Sequence, residues 1–363
     1  MANTIKTLSD GDLVRRYLAI LHNELKFIKT INRQYDDRFA REGAKNGGSL
    51  LIKNPNEYTI RTGAVMDTQD ITETTQTLTV ATQKGVDVNL SDIELTMSVD
   101  DWEEMYAKPA MARLAADVEY TVMSNVYKDI YNLTGASTMA TDPASLLCVL
   151  NAGVKLSQGL APATDRHLQM DSVGMAATVN AVGTYFHKAS ELERAFAEGY
   201  IGQAAGFKWW ENNMVPTHTN GTRTDTTPVV NTSTGITSGT AVITMTAFAD
   251  GTTYKKGDVF TIADVYAVNP ETKQRYGHLQ QFVVTADETE TGSGDMSPAV
   301  SPTPYTSGAK QNIELVSAGA GKVVLNLTGG GSGGASKVYT QNLAYHRDAF
   351  TFVTADLHVE PGQ

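Results

Sequence analysis

The sequence predicts an α+β protein in which a compact antiparallel β domain is set into a mixed helical and stranded body. Three observations carry that expectation. An apolar stripe at helical spacing, Met111, Leu114, Val118, Val122, Met123, Val126 and Ile130, marks one long helix. After Pro216 the composition turns abruptly to Thr, Gly, Ser and Val, with short strand candidates between glycine, proline and asparagine clusters. Beyond the glycine run Gly329 to Gly334 an apolar strand, Ala349 to Val353, resumes, so that the chain is expected to return to the body it had left.

Taken in order, Ser9 to Arg38 carries Leu13, Tyr17, Leu21, Leu25 and Ile28 at helical spacing, with Ser9 and Asp12 placed as a capping box. An amphipathic N-terminal helix is predicted there. It runs into Asp36, Asp37, Arg38, Arg41 and Glu42 and then Gly43, Gly47 and Gly48, a charged, glycine-marked exit read as a hinge. From Leu51 to Leu95 the period changes to two, as in Tyr58 and Ile60, Leu78 and Val80, and Val86, Val88 and Leu90, which predicts a long two-stranded hairpin. Its tip, Thr62 to Gln76, is threonine-rich and acidic on both faces and has no face to bury in its own core, so it needs a partner.

Ser98 and Asp101 form a second capping box, and Pro109 stands where the long helix opens; running to just before Gly135, it would span roughly 35 Å. Helices are expected around Pro143 to Lys155 and Met175 to Glu198, and a strand at Arg166 to Asp171, which makes the region to Met214 α+β. The strand candidates that follow are Ala241 to Phe248, Val259 to Val268, His278 to Ala286, Ile313 to Val316 and Val323 to Thr328, the pattern of an antiparallel barrel or sandwich.

The chain has 363 residues, 41% hydrophobic and 19% charged, enough apolar material for two domains. It has no uncharged apolar run of about 18 residues, and the opening Met-Ala-Asn-Thr-Ile-Lys lacks the apolar segment of a signal peptide, so synthesis in a cytoplasm and no membrane partner are expected. Cys148 is the only cysteine; with Leu146, Leu147, Val149 and Leu150 beside it, it reads as a buried structural thiol. A net charge of -11 argues against a surface built to grip phosphates, though not against a container that encloses nucleic acid.

No residue pattern carries catalysis, a cofactor or a metal. Gly330-Gly331-Ser332-Gly333-Gly334 matches the nucleophile-elbow spacing but lacks the following helix, and the dinucleotide pattern at Gly329, Gly331 and Gly334 lacks a βαβ unit; a flexible linker explains both. The histidines, His22, His167, His187, His218, His278, His346 and His358, are scattered with no ligand spacing. The acids Asp100, Asp101, Glu103 and Glu104 fall in a first helical turn, where they favour the dipole. Phe207, Trp209 and Trp210 read as packing at a domain junction rather than a binding platform. Neither Gly257 nor Gly321 opens a phosphate-binding loop.

The order helix, hairpin, long helix, α+β body, inserted β domain and returning strand resembles the Hong Kong 97-like major capsid fold of tailed bacteriophages, in the subgroup of coat proteins that carry an inserted β-barrel. The stretches that carry the resemblance are Leu78 to Asp87, Lys108-Pro109-Ala110-Met111, Gly206 to Pro216 with Thr217-His218-Thr219, Val265 to Pro270, and Gln341 to Phe350. The resemblance implies an N-terminal arm over residues 1–53, an extended loop and peripheral strand over 54–98, a spine helix and capsid body over 99–216, an inserted β-barrel over 217–342 and a return to the body over 343–363. It implies copies of the chain assembling as pentamers and hexamers into an icosahedral shell in the bacterial host, with a scaffolding protein and a portal as partners. Double-stranded DNA would be enclosed in the virion without sequence-specific binding. Some shells of this fold cross-link through a lysine of the extended loop, but residues 54–83 contain none. Non-covalent contacts are therefore expected, with Arg61, Asp67, Asp70 and Glu73 as candidate inter-subunit contacts and Gly43, Gly47, Gly48 and Gly63 as candidate hinges. The competing expectation is a phage tail or decoration protein, which lacks the long helix after a hairpin; an enzyme would need the convergent side-chain spacing that is missing here.

Overall fold

A computed structural model describes residues 25–33, 49–66, 68–70, 73–79, 82–87, 106–135, 146–182, 203–223, 228–290, 292–316, 320–327 and 337–354. The fold is mixed α+β. Its internal contacts divide it into two units, residues 1–49, 79–123 and 348–363, and residues 50–78 and 124–347.

In the first unit, helix α1 (Phe27–Thr30) is a single turn. Leu25, Phe27, Ile28 and Ile31 are buried while Lys26 and Lys29 face solvent, so the apolar spacing predicted for this stretch is real. Of the helix predicted from Ser9 to Arg38, residues 9–24 and 34–38 lie outside the described residues, and within 25–33 only Phe27–Thr30 is helical. Asn32 instead bridges Thr351, donating its N–H to Phe350 O at 3.2 Å and accepting from Phe352 N at 2.9 Å. A backbone group spent on another segment is unavailable to a helix ladder. The predicted strand Ala349 to Val353 shrinks to this one bridge, and a 3-10 turn, Arg347–Ala349, precedes it.

Helix α2 (Lys108–Val126) begins one residue before Pro109, with proline in the first turn where its missing N–H costs nothing. It is shorter than the stripe predicts. A 3-10 turn, Tyr127–Asp129, closes it and Ile130 is extended, so Ile130 to Leu133 is not helical. The buried line is Ala115, Glu119 and Met123, one position round from Leu114, Val118 and Val122, which are half-buried. Residues 82–87, expected in the hairpin's second strand, form no strand; Lys84 there pairs with Asp117 and reaches Thr121 Oγ1 at 2.5 Å.

In the second unit, β1 (Ser49–Lys53) pairs with β2 (Thr75–Thr79), and no strand extends into residues 54–66, so the predicted hairpin is a short ladder closed by a long loop. Helix α3 (Leu146–Gln158), β3 (Arg166–Met170), α4 (Ser172–Val182), β4 (Gln203–Ala204) and β5 (Phe207–Glu211) follow. β3 lies parallel to β5 and is buried along its whole length, as a central strand should be. Val149, Met175, Phe207 and Trp209 form one core with it, whereas Trp210 points to the other face and is partly exposed. Cys148 is only half-buried, and Leu147 and Leu150 are exposed, which corrects the buried apolar setting expected of them. Five apolar residues in a row cannot all face one way at 100° per residue.

Strand β6 (Thr217–Thr219) opens the β-rich part and β7 (Val229–Val230), β8 (Met245–Thr246), β9 (Thr253–Tyr254), β10 (Val259–Val268), β11 (Arg275–Val284), β12 (Glu288–Thr289), β13 (Val300–Ser301), β14 (Ile313–Leu315) and β15 (Val324–Asn326) continue it. β16 (Val338–Thr340) then pairs antiparallel with β6, setting Tyr339 opposite His218, and β17 (Leu343–His346) joins β3. The long hairpin β10–β11 organises the rest. β10 pairs with β15 through Phe260 to Ile262 and with β14 through Val265 to Ala267. Between these runs Asp264 takes a left-handed φ of +63°, a conformation that aspartate tolerates, and its carboxylate meets Lys322 at 2.6 Å.

Strand pairing can be followed from β10 to β15, by the Val323–Val229 bridge to β7, to β8, and by the Met245–Met296 and Val242–Ala299 bridges to the segment entering β13. From β13 it returns through β11 to β10. Inside lie Tyr254, Phe260, Ile262, Phe282, Met245 and Ile243, all essentially inaccessible. Phe248 meets Tyr254 edge-on, Tyr254 is tilted on Phe260, and Phe260 stacks on Phe282, with centroids 5.9–6.0 Å apart.

Candidate assembly site and a buried ionic joint

Nearly every described residue between β1 and β2 is exposed. Asn54 N–H donates to Thr74 O at 2.9 Å at the base, and farther out the Gln69 amide clasps Thr59, accepting from its N–H at 2.9 Å and donating to its C=O at 2.6 Å. The chain is therefore tied into a defined loop without a core. Ile60, Val65 and Met66 are 93%, 85% and 77% exposed.

The candidate contacts fare differently. Arg61 is turned onto its own loop, donating to Gly63 O and, at 2.9 Å, to Val65 O. Gly63 has φ +116°, a region side chains avoid, so the glycine suits the bend at that point. Glu73 pairs with Lys53 at 2.7 Å; both are exposed, so the pair is worth about 0–1 kcal/mol. Asp70 is exposed, and Asp67, Gly43, Gly47 and Gly48 lie outside the described residues. Two of the four charges are thus engaged within the chain, and the apolar tip, which sequence reasoning passed over, is covered by none of the described residues.

A second feature was not anticipated at all. Tyr127, in the turn that closes α2, sets its hydroxyl 3.2 Å from His218 Nδ1, and His218 Nε2 lies 2.9 Å from Asp258 Oδ1. Asp258 Oδ2 accepts from Arg223 at 2.5 Å, from Lys255 N–H at 2.9 Å and from Gly221 N–H at 3.1 Å. All four side chains are buried, and the Arg223 guanidinium lies 4.5 Å over the Tyr254 ring. Burial by itself would raise the Asp258 carboxyl, but the His218 hydrogen bond, the Arg223 charge and the two backbone N–H groups outweigh it and hold it below the ordinary carboxylate value. An ionised carboxylate only accepts, so in the neutral ring Nε2 carries the proton and Nδ1 accepts from the Tyr127 hydroxyl.

Further ties surround this joint. Lys256 meets Asp129 at 2.8 Å, and the Gln281 amide on β11 both accepts from Leu133 N–H and donates to Leu133 C=O, each at 2.9 Å. Near the other end of β11 the Tyr276 hydroxyl donates to Gln158 O at 3.2 Å, at the end of α3. One strand is therefore fastened to the segment after α2 and to the end of α3. No group of His, Cys, Asp and Glu among the described residues has a metal-binding arrangement.

No protein-family model and no curated protein matches the chain. Solved structures do. The chain is similar to a structure from Mycobacterium phage Che8, at 14% identity and a TM-score of 0.41, covering 84% of this chain and 92% of that one. It is similar to the capsid structure of the cyanophage P-SCSP1u, at 10% identity and a TM-score of 0.36, covering 86% and 89%. It is similar also to the CUS-3 coat protein I-domain, at 25% identity and a TM-score of 0.17, covering 30% of this chain and 94% of that one.

Proposed function

We propose that the chain is the major coat protein of a tailed bacteriophage, with a Hong Kong 97-like body and an inserted β-barrel over residues 217–342, and that copies of it close into an icosahedral shell around double-stranded DNA. The observation that carries this reading is the loop between β1 and β2. A tied, ordered segment that presents Ile60, Val65 and Met66 to solvent needs a covering surface, and its own chain supplies none among the described residues. Leu147, Leu150 and Val154 form a second exposed apolar ridge on α3. Two separate apolar surfaces on one chain suit a protein that contacts several copies of itself at once.

The insertion is supported by β6 and β16, which bring the strand after Pro216 beside the strand before Gln341, so a domain leaves and returns at one place. The circuit of pairing from β10 through β15, β7, β8 and β13 back to β11 supports a barrel. The Tyr127–His218–Asp258 array has a catalytic look, yet its side chains are buried and its carboxylate already accepts from His218, Arg223 and two backbone N–H groups, so we assign it to tying the β-rich part to the turn that follows α2. A scaffolding protein, a portal and assembly in the host cytoplasm complete the proposal.

Electron microscopy of the chain expressed alone and with its candidate scaffolding partner tests the reading. Closed shells or curved sheets are expected. Monomers only, or tubes of stacked rings, in both conditions would favour a tail protein. Replacing Ile60 and Met66 by aspartate is expected to leave a folded chain that no longer closes shells, because both side chains stand exposed among the described residues.

A further inference from the structure

Glu119 is an unusual residue to find on the buried line of a long helix. It is 3% exposed, it lies between Ala115 and Met123, and its carboxylate is turned onto the main chain of a segment more than ninety residues away. Its Oε2 accepts from Lys26 N–H at 2.8 Å and its Oε1 from Phe27 N–H at 2.7 Å. These are the amides that open α1, where N–H groups have no partner within the helix and a negative charge is favoured. The carboxylate thus does for α1 what a capping side chain usually does from within its own helix.

The other side of α1 is held by the returning chain. Phe27 packs on Phe350 with ring centroids 6.1 Å apart, and Asn32 exchanges two backbone hydrogen bonds with Phe350 and Phe352. A single helical turn has no stability of its own, since nucleation costs more than one turn returns. The order of α1 therefore comes from its dock, to which four buried apolar side chains of residues 25–31, two amides on one carboxylate and one bridge all contribute.

We propose that residues 25–33 dock and release as one local unit, folding as they bind, and that the Glu119 carboxylate is the latch that sets the balance. Release would free this segment while α2 stays intact, because α2 keeps its own ladder of backbone hydrogen bonds. The inference rests on contacts within one unit and does not depend on the coat reading.

Hydrogen exchange read by mass spectrometry on the full chain tests it, with Glu119→Gln and Phe27→Ala as variants. The glutamine presents one acceptor and one donor to two N–H groups, so at least one bond is lost; the alanine removes an anchor and leaves the carboxylate. Both variants are expected to speed exchange over residues 26–32 by about tenfold or more, with exchange over Val259 to Val284 unchanged. Unchanged exchange over 26–32 in both variants would overturn the latch. Acceleration of both regions by the same factor would overturn it equally, because Glu119 would then act only through the stability of the whole fold.

Discussion

Replacing Asp258 by asparagine keeps the size of the side chain and removes its charge. The two carboxylate oxygens have different duties: Oδ2 serves Arg223 and the N–H groups of Gly221 and Lys255, and Oδ1 serves His218. An amide can keep its oxygen toward the first group and turn its NH2 toward His218, which can change tautomer and donate to Tyr127 instead. What it cannot restore is the charge beside the buried Arg223 guanidinium. Breaking a buried pair from one side costs about 3–5 kcal/mol, and the tautomer change places this case near the lower end. In a unit of this size about 3 kcal/mol corresponds to a fall in Tm of roughly 6–12 °C, measured by calorimetry or circular dichroism. The pH dependence gives a second readout. Asp258 titrates below its ordinary value of 3.8 when folded, so its stabilisation is complete above about pH 4 and is lost as the pH falls through the folded value. Asp258→Asn should therefore lie below the wild type by a constant amount at neutral pH and converge on it in acid. A Tm shift under about 2 °C, or a gap that does not close in acid, would refute this account of the joint.

Gly221→Ala should be more severe than its size suggests, because an added Cβ would stand 1.9 Å from Thr253 O; a loss of about 3 kcal/mol or more is expected by urea titration, and an unchanged midpoint would mean that the Thr222–Thr253 pairing yields freely. Gln281→Ala removes both partners of the Leu133 peptide groups and should cost about 1–2 kcal/mol while accelerating exchange of the Leu133 amide; slow exchange there would show that another group holds it. His167 is kept below its ordinary value of 6.5 chiefly by burial, with the charges of Lys208, Arg347 and His346 acting the same way and Asp165 opposing, and its Nδ1 accepts from Trp210 Nε1 at 3.1 Å. The unfolded chain then takes up the proton first, so stability should fall as the pH drops below about 6.5 and level off below the folded value; His167→Gln should flatten that slope, and a steeper one would contradict it.

Much of the secondary structure was legible because it rests on local periodicity. β10 occupies the predicted Val259 to Val268, β3 falls inside Arg166 to Asp171, and α2 has Pro109 in its first turn as the proline signal requires, while the capping pair Ser98 and Asp101 lies outside the described residues. Two of the errors share one cause. Among the described residues the predicted N-terminal helix is cut to Phe27–Thr30, and the strand expected at Ala349 to Val353 is reduced to a bridge, because Asn32 and Thr351 pair with each other. The buried line of α2 turned by one residue for the same kind of reason: Glu119 is drawn inward by two amides of α1, and periodicity counts a glutamate as solvent-facing.

The candidate site divides along the same boundary. That the segment around Thr62 to Gln76 lacks a core of its own among the described residues could be read from its composition. That Arg61 and Glu73 are spent on their own loop while Ile60, Val65 and Met66 stand free depended on how the loop closes. The joint was invisible from sequence, since Tyr127, His218, Arg223 and Asp258 carry no common spacing and meet only when the end of α2, β6 and the start of β10 converge. Local sequence determines which residues can form a turn, a strand or a helical stripe, because those choices depend on neighbours along the chain. Which charges become buried, and which partners hold them there, is decided by tertiary structure, because the energy of a buried charge depends on everything that surrounds it in space.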